Sequence, residues 1–152
     1  MKKKFIIIAA LTAIALAGII YYATRPIPLV EPLNLEKALA QNLAENGRKA
    51  NIDLRTVGNF EWNKLYILSP YRKKIKNLRG LKEILATTTI TPDVCILLFV
   101  QGNVINGFSV ISRNIVDFSL LSESYPREKT NFRLQKRPFN GPGNKPWYNV
   151  II

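Results

Sequence analysis

Asp93-Val-Cys-Ile-Leu-Leu-Phe-Val-Gln-Gly-Asn-Val-Ile-Asn-Gly-Phe-Ser-Val-Ile-Ser112 is the stretch that decides the fold. From Val94 to Val100 no side chain is polar, the mark of a short strand buried on both faces of a sheet. Gln101-Gly102-Asn103 reads as a hairpin turn, because glycine relieves the backbone of the turn at no steric cost. Val104 to Ser112 is then the antiparallel partner.

Working outward, Asn34–Asn46 predicts a helix. Leu35, Ala38, Leu39 and Leu43 form its apolar stripe, Asn34 stands at its start and Gly47 just past its end. Ile52–Val57 and Phe60–Leu68 read as two strands joined at Gly58-Asn59. Tyr71–Leu85 carries Tyr71, Ile75, Leu78 and Leu85 at helical spacing, with Gly80 weakening the middle. Thr87–Thr91 is a strand or the lead into one, and Asn114–Leu121 has no clear assignment. Asn131–Lys136 and Trp147–Ile152 read as the last strands, around a Gly/Pro-rich loop over residues 138–146. The expected class is α+β: one small antiparallel or mixed sheet of about five to seven strands with helices packed on one face.

Ahead of this domain, Lys2-Lys3-Lys4 precede an uncharged run from Phe5 to Ala23. At about 1.5 Å per residue such a helix comes close to the ~30 Å of a hydrocarbon core. Tyr21 and Tyr22 fall where an interfacial aromatic belt belongs. Three readings stay open: a retained membrane anchor, a signal peptide cleaved near Ala15-Leu16-Ala17, or a buried core helix. The lysines orient the N-terminus inwards and the domain outwards. The implied location is a single-pass protein of the inner (cytoplasmic) membrane, or a periplasmic or secreted one after cleavage. Residues 1–24 are thus the anchor or signal, 25–33 a proline-rich spacer and 34–152 the domain.

The 152-residue chain has 22 Lys and Arg against 10 Asp and Glu, a net charge of +12. Every carboxylate follows the apolar segment, leaving 19 cations against 10 carboxylates there, net +9. So basic a domain attracts anionic partners. Histidine is absent and Cys95 is the single cysteine, which excludes intramolecular disulfides, His-paired nucleophiles and imidazole metal sites. Cys95 within its apolar run reads as a buried, inert thiol. Asp117 and Glu123 are expected on the surface, and no spacing suggests a catalytic carboxylate pair, a metal site or a cofactor site.

Phe60-x-Trp62-x-x-Leu65-Tyr66-x-x-x-Pro70-Tyr71-Arg72 resembles a run found in small uncharacterised bacterial envelope proteins, with a fainter echo in Val94–Ile111. Asn63 stands where that pattern has Asp. The resemblance covers about a dozen residues and implies a small exported α+β domain with no catalytic role attached.

Two candidate binding features emerge. Trp62 and Tyr66, four apart on one strand, would share a face and with Tyr71 line an aromatic groove; the plainer alternative keeps these rings in the core. Arg72, Lys73, Lys74, Lys76, Arg79 and Lys82 interleave with Ile75, Leu78 and Leu81, an amphipathic basic segment that could meet headgroups or an acidic protein. A third group, Arg127, Lys129, Arg133, Lys136, Arg137 and Lys145, lies among Phe132, Phe139, Trp147 and Tyr148.

The function expected is a non-enzymatic envelope protein. It would contact membrane lipid through residues 5–23 and bind an acidic protein or an anionic envelope surface, for example as an immunity-type protein. The alternative is a carboxylate-dependent enzyme or accessory acting on envelope glycans. A nucleic-acid partner conflicts with the outward orientation.

Overall fold

The computed structural model describes residues 12–21, 30–47, 51–70, 75, 77–141, 143 and 146–152. Two mixed sheets and two short helices form the domain. The strands are β1 (Glu31–Pro32), β2 (Asn51–Asp53), β3 (Lys64–Leu68), β4 (Val94–Gln101), β5 (Val104–Ser112), β6 (Val116–Asp117), β7 (Ser124–Pro126), β8 (Asn131–Lys136) and β9 (Tyr148–Ile151); the helices are α1 (Leu35–Asn46) and α2 (Leu81–Thr87). The first sheet runs β1-β5-β4-β3-β7 and the second β2-β8-β9-β6.

The apolar run behaves as its composition dictates. Cys95, Leu97 and Phe99 face one core and Ile96, Leu98 and Val100 the other, all fully buried. The hairpin turn closes Gln101 against Val104, with Gly102 at φ 63, a backbone that suits glycine at the first turn position. Pairing slips once: Phe99 opposes Gly107 while Val100 opposes Ile105, leaving Asn106 as the extra residue of a bulge. The bulge flips the alternation, so Ile105 and Phe108 join the same core. The freed Asn106 side chain donates to Glu61 O at 2.7 Å.

The expectation of one sheet with helices on one face is corrected. The second sheet and α1 (Leu35, Leu39, Leu43) cover one face of the first sheet, whereas α2 (Leu81, Ile84) covers the other. A strand as apolar on both faces as β4 requires both layers.

Nor do residues 52–68 form a hairpin. Ile52 pairs with Phe132 in the second sheet, while β3 pairs with β4 in the first. The Asp53 carboxylate accepts the Arg55 backbone N–H at 3.0 Å, an Asx turn that ends β2. The chain then crosses between the sheets. Of the helical stripe over Tyr71–Leu85, residues 71–74 and 76 lie outside the described residues; Asn77 (φ 64) and Gly80 (φ 92) are left-handed, which a right-handed helix does not admit. Helix α2 therefore starts at Leu81, and Thr87 ends it rather than starting a strand.

The proline-rich stretch holds one surprise. Its last residues already belong to the sheet: β1 runs parallel to β5, Glu31 beside Gly107 and Pro32 beside Phe108. Leu33 N–H donates to Phe108 O and Ser109 Oγ to Leu33 O, both at 2.8 Å. Residues 31–33, read from sequence as part of the spacer, are thus bonded to the sheet.

Residues 12–21 are helical. Among the described residues no helix is long and apolar enough to cross a membrane.

Candidate functional site

Trp62 and Tyr66 do not share a face. Trp62 lies just ahead of β3, is 2% exposed and belongs to the core between the sheets. Its indole N–H donates to Val57 O at 3.1 Å, and its ring meets Phe99 edge-on at 5.0 Å. The Arg127 guanidinium sits 4.8 Å from the ring centroid and donates to Arg55 O at 2.8 Å. Tyr66 packs against the other core, on the opposite face of the sheet, with Lys64 Nζ 5.0 Å from its ring. The strand begins only at Lys64, so the two-residue alternation assumed from Trp62 to Tyr66 does not hold over its first half. Tyr71, Arg72, Lys73, Lys74 and Lys76 lie outside the described residues.

Arg79 is placed. Its N–H donates to Asn103 O at 2.8 Å and its carbonyl accepts Ile105 N–H at 3.0 Å. Arg79 is thereby stitched to the outer edge of β5.

The most organised polar cluster is one that the sequence reading missed. Asp117, expected on the surface, has no exposed area. Arg113, from the turn between β5 and β6, grips it with both prongs: Nε to Oδ1 and Nη2 to Oδ2, each 3.0 Å. Arg137 donates to the same Oδ2, and Ser119 N–H to Oδ1 at 2.9 Å. Arg137 in turn donates to Asn149 Oδ1 at 2.6 Å and stacks 3.7 Å above the Trp147 ring. The Trp147 indole closes the circuit by donating to Arg113 O.

Burial pushes the Asp117 pKa up, but hydrogen bonds from Arg113 and Ser119 and the Arg113 charge outweigh it, holding the carboxyl below its ordinary value. An ionised carboxylate with both oxygens occupied and no access to solvent is a poor proton donor and a poor nucleophile. Its chemistry is that of a lock: it ties the β5–β6 turn, β6, β9 and the segment after β8 into one unit. The signal was present in sequence as Arg113 four residues before an acid set in Ile115-Val-Asp-Phe118.

Cys95 is fully buried. Its thiol is pushed up to about 11, first by burial and then by the Asp117 charge. Since the thiolate is the reacting form, Cys95 is expected to resist aromatic disulfide reagents at pH 8 until denaturant is added. Rapid labelling of the folded protein would contradict this placement.

A mostly apolar cleft of about 490 Å³ lies between Ala40, Leu43 and Ala44 of α1 and Asn114, Ile115 and Tyr148. Among the described residues no three His, Cys, Asp or Glu side chains come together as a metal site. No protein-family model, curated protein or solved structure matches this chain.

Proposed function

We propose that this chain is a membrane-tethered or exported envelope protein whose small basic domain binds an acidic protein or an anionic surface without transforming it chemically. The observation that carries the reading is the N-terminal segment. Over residues 12–21 it is a helix with its apolar side chains open to solvent, Ile14 at 69% and Ile19 at 65%. Exposed apolar surface of this kind marks a segment meant for lipid or another partner. The net +9 beyond it supplies the attraction for an anion. An immunity-type protein that neutralises an acidic toxin is one concrete form.

The alternative, a carboxylate enzyme on envelope glycans, gains no support from the described acids nearest to cations. Asp117 is enclosed, and Asp53 is chelated by Arg55 at 2.6 Å on the surface. Fusions of alkaline phosphatase and of a cytoplasm-dependent fluorescent protein after Ile152 test the orientation. Active phosphatase with a dark fluorescent fusion is expected, and recovery in the carbonate-resistant membrane pellet identifies a retained anchor. The reverse pattern would remove the envelope reading.

A further inference from the structure

We propose that the outer face of the second sheet docks an extended acidic segment of a partner protein, with Arg133 and Phe139 as its main contacts. This rests on the acidic-partner reading above and goes past it by naming the face and the form of what it binds.

Strand register defines the face. Ile52, Val116, Phe132 and Val150 point into the core between the sheets, so their neighbours along each strand point outwards. Across β6, β9 and β8 one outward row is Asp117, Asn149 and Gln135. The next is Ile151, Arg133 and, on β2, Asn51. Arg137 N–H donates to Trp147 O at 2.8 Å, which adds one more row and sets the Arg137–Trp147 stack at the end of the face. Arg133, Gln135 and Asn51 are exposed, whereas α1 and the first sheet lie against the opposite side.

The charges on this face do not balance. Asp117 is shared by Arg113 and Arg137, and Asp53, at the far corner on β2, is held by Arg55. Among the described residues Arg133 has no ion-pair partner. Glu128 and Lys129, on the turn ahead of β8, cancel each other. Where β8 ends, a polar cleft of about 480 Å³ is lined by Leu134, Gln135, Lys136, Arg137 and Pro138, two cations and no carboxylate.

An apolar contact stands beside the cations. Phe139 is 58% exposed, and its ring meets Trp147 edge-on at 6.2 Å. Arginine beside an exposed aromatic ring is the composition of protein interfaces; a phosphate surface would need the cations alone. Bonds to Asp117 and Asn149 hold Arg137 in place, so little ordering is left for a partner to impose. Gln135 and Asn51 can both donate to and accept from a peptide backbone. From Asn131 to Arg137 the face is about 20 Å long, the span of an extended segment of about six residues.

The test follows the fluorescence anisotropy of a dye-labelled glutamate–tyrosine copolymer added to the full chain in neutral detergent. Unlabelled polyglutamate and polyphosphate serve as competitors. The copolymer is expected to bind several-fold more tightly than polyglutamate at equal carboxylate concentration, and Phe139→Ala should abolish that preference. Arg133→Glu should weaken binding several-fold, with Arg133→Lys in between, because lysine lacks the two-pronged contact with a carboxylate. Lys37→Glu makes the same charge change at an exposed position of α1 and should have little effect. Cooperative melting shows that the variants are folded.

Equal losses in Arg133→Glu and Lys37→Glu would reduce the binding to bulk charge and overturn the proposal. Polyphosphate that displaces the copolymer more effectively than polyglutamate at equal charge, and does so through Arg133, also overturns it and assigns the face to phosphate. Copolymer binding indifferent to both Arg133 and Phe139 loses the face alone and leaves the acidic-partner reading standing. A chain that binds neither the copolymer nor polyglutamate loses both.

Discussion

Asp117→Asn is expected to lower the unfolding free energy by about 3–5 kcal/mol, the usual loss when one partner of a buried ion pair is removed. The carboxylate is wholly buried, and Arg113 and Arg137 are each only 15% exposed. Asparagine keeps the shape and one acceptor but removes the charge, leaving two crowded guanidiniums to repel each other. The surface pair Asp53–Arg55 provides the contrast. Its side chains are 38% and 47% exposed, so Asp53→Asn should cost less than about 1 kcal/mol after solvent screening. Urea unfolding of both variants decides the matter. A loss of under about 1 kcal/mol for Asp117→Asn would mean that the cluster is not a lock.

The same residue sets a pH signature. Its folded pKa lies below the ordinary 3.8, so its contribution is present in full above that value and is lost as pH falls through the folded pKa. Asp53, lowered to about 2 chiefly by the Arg55 side-chain hydrogen bond, titrates in the same direction. Wild-type stability should therefore fall as pH drops below about 4. Asp117→Asn should show a shallower decline over that range, visible in denaturation midpoints. Parallel pH curves for the two proteins would show that Asp117 does not contribute to acid sensitivity.

How much of this was legible in the sequence follows from the range of each interaction. The β4–β5 hairpin, helix α1 and the strand Asn131–Lys136 were readable because local periodicity and turn chemistry specify them. The second sheet was not. Ile52 and Phe132 are eighty residues apart in sequence, and no pattern internal to residues 52–68 distinguishes a hairpin from a crossing between sheets. Trp62 misled for a related reason: parity predicts a shared face only while the strand continues, and here the strand starts at Lys64. The Asp117 lock required Arg137 and Trp147 to return from the end of the chain. Arg79 was found by charge alone, whereas its bridge to Val104 is a long-range pairing that no local pattern specifies.

Gly107→Ala is the second substitution expected to have a large effect, about 3 kcal/mol, at the upper end of the range for overpacking. A Cβ there would stand 2.2 Å from Phe60 Cζ. The ring also lies against Gly58, where a Cβ would stand 2.3 Å from Phe60 Cε1, so it packs on two glycines. Further motion would break its edge-on contact with Phe99, at 6.2 Å in the core between the sheets. The collision can be isolated by shrinking the ring. In Gly107→Ala/Phe60→Leu the two losses should fall short of additive by about 1 kcal/mol or more, since the methyl then has room. Gly58 offers a check on the mechanism. It sits at φ +78, a left-handed backbone that penalises alanine whatever the space, so Phe60→Leu should rescue Gly58→Ala only in part. Full additivity at Gly107 would reject the steric account. Equal rescue at both glycines would instead show that the backbone at Gly58 relaxes. Because Gly107 also lies beside Glu31 of β1, any strain placed there reaches the edge strand as well.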